Sequence, residues 1–197
     1  MTLEIEAKFW VHDPRQLAGN LEKSGWKRTT TEPLMEEDLY FQGVGRDFSA
    51  TGEALRLRIQ DGKLRYTYKG RPEGGDGLVK IRREIELDLT STEVSEAHDF
   101  LVELGFEPIA TVRKARREFT HQDIWPNVSL LLDDVEDLGC FVEIEVLAEE
   151  NGREAACGAI NAIALDLGLS LREKRSYLRI LLEKMCSNNR GVHAGGS

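Results

Sequence analysis

The chain has 197 residues, 41% of them hydrophobic, and a formal net charge of −9. That length and hydrophobic content predict one folded domain with a sizeable core, and the acidity excludes nonspecific binding to nucleic acid. No apolar run approaches a membrane span, "MTLEIEAKFWVHD" lacks a signal-peptide pattern, and three cysteines and four histidines lie too scattered for disulfides or zinc. A reducing cytoplasm fits this cysteine usage.

The first predicted strand, "LEIEAKFW", alternates strictly. Glu4, Glu6 and Lys8 share one face, and Ile5, Ala7 and Phe9 share the other. A helix follows, with Asp13 as its cap, Pro14 in the first turn, Leu17, Ala18 and Leu21 on one face, and a stop at Gly25. The segment "EDLYFQG" (37–43) resembles the protease site that expression vectors place after a purification tag. It lies inside the chain with no poly-His tract beside it, so it reads as native sequence.

"EALRLRIQDGKLRYTYKG" predicts a hairpin turning at Asp61-Gly62. Arg56 and Arg58 oppose Leu55, Leu57 and Ile59; Arg65, Thr67 and Lys69 alternate with Leu64, Tyr66 and Tyr68. "LVKIRREIELDL" sets Lys80, Arg82, Glu84 and Glu86 against Val79, Ile81, Arg83, Ile85 and Leu87. A second helix runs from Ser91 or Thr92 to Gly105, with Val94, Ala97, Leu101 and Leu104 on one stripe. "TVRKARREF" then places Lys114, Arg116 and Glu118 on one side, and "VSLLLDDV" and "CFVEIEVL" add Asp133, Glu143 and Glu145.

A third helix covers residues 153–167 and stops at Gly168. Residues 171–186 read equally as a strand or a fourth helix. A single domain is expected over 1–186, with a disordered tail over 187–197.

A strand that is charged on one face and apolar on the other is ordinarily half-solvated. Here the charges occupy nearly every polar-face position of several strands, many as arginines or as Glu-x-Glu pairs. Carboxylates two apart on a strand point the same way, about 7 Å apart, and repel unless something cationic lies between them. If the sheet curls into a barrel, the charged faces converge on one lumen, where unpaired charges are costly. A polyanion on the basic groups and divalent cations on the carboxylates satisfy both sets; carboxylate ligands suit Mg²⁺ or Mn²⁺.

"EIEAKF", followed in order by "LRLR", "YTYKG", "RREIE", "VRKARREF", "LLLDDVEDLGCFVEIE" and "EKRSYLRILL", resembles the CYTH superfamily, the triphosphate tunnel metalloenzymes. The "DLYF…RDF" segment resembles its class IV adenylate cyclase branch. The resemblance implies an α+β fold: a closed antiparallel β-barrel tunnel with a charged lumen and helices packed outside. It implies metal ligands at Glu4, Glu6, Glu143 and Glu145, and triphosphate contacts at Lys8, Arg56, Arg58, Lys69, Arg82, Lys114 and Arg116. Asp133 either holds metal or orients a basic neighbour; Glu84 and Glu86 are metal ligands or ion-pair partners. Arg46 is placed near the barrel mouth, where a nucleotide or phosphate would meet it, and either Lys174 or Arg175 points inward. The implied activity is conversion of ATP to cyclic AMP and pyrophosphate with Mg²⁺ or Mn²⁺. The alternative is hydrolysis of inorganic triphosphate or another organic triphosphate, such as thiamine triphosphate, by the same residues. A non-catalytic triphosphate sensor would bind without turnover. The sequence leaves monomer and homodimer open.

Overall fold

The computed structural model describes residues 2–43, 45–72 and 79–192. Strand β1 (Thr2–Trp10) leads through α1 (Pro14–Lys23) and β2 (Lys27–Arg28) to β3 (Leu34–Gln42) and α2 (Phe48–Thr51). The hairpin β4 (Ala54–Gln60) and β5 (Lys63–Lys69) is followed by β6 (Lys80–Arg82) and β7 (Glu84–Leu89). Then come α3 (Val94–Glu103), β8 (Glu107–His121), β9 (Trp125–Val135), β10 (Gly139–Glu149), α4 (Arg153–Asp166), β11 (Arg172–Glu173) and α5 (Tyr177–Val192).

Local chemistry sets the boundaries. The Asp13 side chain accepts the Gln16 amide at 2.9 Å and starts α1. Glu93 and Glu96 form a capping box, so α3 begins at Val94, later than the sequence pattern implied. Asp61 and Gly62 both take positive φ (49° and 74°), the two-residue turn that suits the twist of a hairpin. Residues 171–186 hold both a short strand and a helix, and α5 continues through Val192 into the stretch expected to be a disordered tail. Residues 193–197 lie outside the described residues.

The strands form one antiparallel sheet in the order β11-β1-β10-β9-β8-β3-β4-β5-β7. Strand β6 pairs with β1, while β7 pairs with β5. Only Arg83 separates β6 from β7, so one run of chain joins the two edges and nearly closes the barrel. The segment expected as a single strand therefore breaks at Arg83, whose carbonyl accepts the Gly70 amide at 2.9 Å.

The period of two then sorts the side chains. Leu3, Ile5, Ala7 and Phe9 face outward and pack with Leu17, Leu21, Ile160 and Ile163 of α1 and α4. Helix α3 covers Phe41, Leu57 and Leu64 with Ala97 and Leu101. The inner face is mostly charged, and one end of it is apolar. There Tyr40, Val112, Val135 and Phe141 point inward and pack on Tyr177 and Ile180. Helix α5 thus stands over an end of the barrel rather than along its outer wall.

Candidate functional site

The barrel interior holds a lattice of ion pairs. Arg58 donates to both Asp38 oxygens at 2.7 and 2.9 Å and lies 2.9 Å from Glu36. Arg56 approaches Asp38 at 3.2 Å and Glu84 at 3.9 Å. Lys114 bridges Glu36 at 3.0 Å and Asp38 at 3.4 Å. Arg116 donates to Asp133 at 2.7 and 2.6 Å and to Glu143 at 2.8 Å. Lys8 meets Glu143 at 3.2 Å, Lys69 meets Glu4 and Glu84 at 2.9 Å each, and Arg82 meets Glu6 at 2.9 Å.

These partners govern ionisation. Burial favours the neutral form of Glu143, but Lys8 and Arg116 hold it down to about 2. Burial likewise opposes Glu36, and Arg116, Lys114 and Arg58 hold it at about 2. Glu6 stays well below the usual carboxylate range because Arg82 and Lys80 outweigh its burial. Glu145 goes the other way: burial, then the Glu4 and Glu143 carboxylates, push it up to about 8. Among the described residues it has no ion-pair partner.

Glu4, Glu6 and Glu145 each offer an oxygen, all within 4.8 Å of one another. Three carboxylates fit a hard divalent cation, which would bring the counter-charge that Glu145 lacks. The Nε atoms of Arg56 and Arg82 are buried without an acceptor, donors suited to an anion.

A cavity of about 380 Å³ connects these groups to the surface beside α5. Of the expected site residues, Glu6, Lys8, Arg56, Lys69, Arg82, Lys114, Arg116, Glu143, Glu145, Lys174 and Arg175 line it. Glu4 is not among the described lining residues; it pairs with Lys69, which is. Arg58 is not among the described lining residues; Asp38 and Glu36 occupy its guanidinium. Asp133 is fully buried and takes bonds from Arg116 and from the Tyr177 hydroxyl at 2.9 Å. Glu84 pairs with Lys69, and Glu86 lies apart on Arg65 at 2.8 Å. Arg46 is not among the described lining residues; it pairs with Glu53, which lines the cavity and whose carboxylate also accepts from Tyr68 and Thr51. Arg175 is held by Glu173 and Glu183, so Lys174 and Arg175 both border the cavity at its edge.

Glu36 and Asp38 are not among the site residues expected from the sequence, although their spacing of two matches the other carboxylate pairs. Lys80, expected only on the charged face of its strand, lines the cavity 3.7 Å from Glu6, and burial pulls its pKa down. Tyr177 had no sequence signal. Its ring centroid lies 3.7 Å from the Lys8 ammonium and 5.4 Å from that of Lys114.

Comparison with known proteins agrees with this architecture. A provisionally named adenylate cyclase of Methanocaldococcus jannaschii is 33% identical over 181 residues, covering 90% of this chain and 98% of the relative. A solved Pyrococcus horikoshii protein is 33% identical, with a TM-score of 0.79 over 92% of this chain and 99% of its own. A Hippeastrum protein, provisionally named an adenylyl cyclase and described as revealing a dominant triphosphatase activity, shares the fold at 18% identity. Its TM-score is 0.64, over 93% of this chain and 96% of its own. The CYTH domain profile matches residues 2–177, and the chain belongs to the CYTH family.

Proposed function

We propose that this chain is a metal-dependent enzyme acting on a triphosphate, and that its reaction is cyclisation of ATP to cyclic AMP and pyrophosphate. The observation that carries the reading is the carboxylate trio Glu4, Glu6 and Glu145, of which Glu6 and Glu145 line the cavity together with a bank of cations. The name of the 33%-identical relative supports the cyclase assignment.

Held by Glu4, Glu6 and Glu145, Mg²⁺ or Mn²⁺ would supply Lewis-acid charge that lowers the pKa of an attacking hydroxyl and neutralises phosphate oxygens. The protein's own groups do the rest. Lys69 and Arg82 turn from Glu4 and Glu6 to phosphate oxygens, exchanging one anion for another without leaving a charge bare. Lys8, Arg56, Lys114 and Arg116 hold the remaining phosphates in line and stabilise the charge that grows on the leaving pyrophosphate. Asp133 fixes the fork of Arg116; its two bonds to that guanidinium favour the orienting role over the metal-binding one. Arg58 serves by holding Asp38, and Glu143 by holding Lys8 and Arg116. Attack of the ribose 3′-oxygen forms a bond to the α-phosphorus and breaks the bond from it to the bridging oxygen, and the hydroxyl proton passes to water.

The test is to incubate the protein with Mg²⁺ or Mn²⁺ and ATP, inorganic triphosphate or thiamine triphosphate, and to separate the products. Cyclic AMP with pyrophosphate supports the reading. Orthophosphate instead assigns a hydrolase in the same tunnel, and no product from any substrate overturns both.

A further inference from the structure

We propose that the cavity mouth grips the flat ring of an organic triphosphate by its faces and leaves its edges unread. The enzyme would then separate organic from inorganic triphosphate but hardly distinguish one nucleobase from another. This rests on the reading of the tunnel as a triphosphate site.

The mouth differs in chemistry from the tunnel behind it. Tyr40, Phe48, Ile109, Leu178 and Leu182 line the cavity there. Topology brings them together. Tyr40 lies near the end of β3, where the pairing with β8 shifts register: Tyr40 faces Ala110, but Phe41 faces Pro108. Ile109 is the extra residue of that bulge, and a bulge turns a side chain out of the ordinary pleat. Leu178 and Leu182 are four apart on α5 and share a helix face. Phe48 opens α2, just before β4 begins at the same rim.

A bare inorganic triphosphate has no use for such a surface, since it is charged along its whole length. A cavity of about 380 Å³ also falls in the size range of pockets that enclose a drug-sized ligand, phosphates and ring together. The apolar wall therefore points to a ring attached to the polyphosphate.

Three uncharged polar side chains that line the cavity beside this wall, Gln42, Ser49 and Ser176, have partners within the protein. Gln42 Nε2 and Ser49 Oγ both donate to Asp47 Oδ1, at 3.1 and 2.6 Å. Ser176 Oγ accepts the Arg179 amide at 3.2 Å. An apolar pocket discriminates weakly between rings of similar shape, whereas strong discrimination needs buried polar groups built for one pattern of donors and acceptors.

The experiment is calorimetric titration of the full chain, with Mg²⁺, using inorganic triphosphate and the non-hydrolysable α,β-methylene analogues of ATP, GTP and CTP. The three nucleotides should bind within about threefold of one another, each at least about tenfold tighter than inorganic triphosphate. Leu178→Ala with Leu182→Ala should weaken the nucleotides by about tenfold and leave inorganic triphosphate unchanged. Inorganic triphosphate binding as tightly as the nucleotides, or one base preferred by more than about tenfold, overturns the proposal. So does a double variant that weakens all four ligands equally or none. Binding of none of the four to the wild-type chain overturns the triphosphate reading itself, and the inference falls with it.

Discussion

Glu6 and Glu145 stand directly opposite each other in the antiparallel register of β1 and β10. Like charges in that position are destabilising. Glu6 is relieved by Arg82 at 2.9 Å, while burial, with the Glu4 and Glu143 carboxylates, drives Glu145 up to about 8. A fold that keeps such a pair gives up stability, as functional sites commonly do.

That cost is measurable. A carboxyl whose folded pKa is raised contributes stability that is present below its unfolded value and lost as pH rises through about 8. Glu145→Gln should therefore raise the melting temperature of metal-free protein at pH 8. It should also remove any stabilisation by added Mn²⁺. A melting temperature at pH 8 that stays the same or falls would contradict this account of Glu145.

Glu36 has the opposite sign. Its folded pKa of about 2 lies below that of a free glutamate, so its contribution is present above about pH 4.5 and lost as pH falls through 2. The shift corresponds to something on the order of 3 kcal/mol. Urea unfolding at a series of pH values should show stability falling between pH 4.5 and 2, and Glu36→Gln should flatten that slope. An unchanged slope would remove Glu36 from the acid transition.

Asp133 is fully buried under three hydrogen bonds from Arg116 and Tyr177. Removing one partner of a buried pair leaves the other uncompensated, at a cost of about 3 to 5 kcal/mol. Asp133→Asn should destabilise by that order in denaturant, whereas Glu86→Gln, at an exposed pair, should cost under about 1 kcal/mol. Equal costs would show that burial does not set the energetics of the lattice.

The segment "EDLYFQG" lies mostly in β3, paired on one side with β4 and on the other with β8. A protease needs an extended, unpaired substrate strand. The tag-cleaving protease should leave the native chain intact after overnight incubation and cut between Gln42 and Gly43 only under denaturing conditions. Cleavage of the native chain with its circular dichroism unchanged would show that the end of β3 opens.

Much of this fold was legible in the sequence because a pleat has a period of two and a cap has a fixed chemistry. "EIEAKF" and "ALRLRIQ" reveal their charged faces one residue at a time, and Asp13-Pro14 announces α1. What stayed hidden was non-local. Nothing in "MEEDLYF" says that Glu36 and Asp38 will meet Arg56, Arg58 and Lys114, because those contacts exist only once β3 lies between β4 and β8. The break at Arg83 was hidden for the same reason: it serves two different neighbours, β1 and β5. Alternation identified Arg58 as inward-facing but not as already satisfied. Tyr177 was invisible because one tyrosine at a helix start looks like any other until Lys8 lies over it.

The central claim is that one cavity holds a divalent cation on Glu4, Glu6 and Glu145 and a triphosphate on the basic residues facing them. The direct measurement is a crystal grown with Mn²⁺ and a non-hydrolysable ATP analogue, examined by anomalous diffraction. The account predicts a manganese peak at coordination distance from carboxylate oxygens of that trio, with phosphates against Lys69 and Arg82. A peak elsewhere, with Lys69 still on Glu4 and the nucleotide outside the barrel, would contradict it.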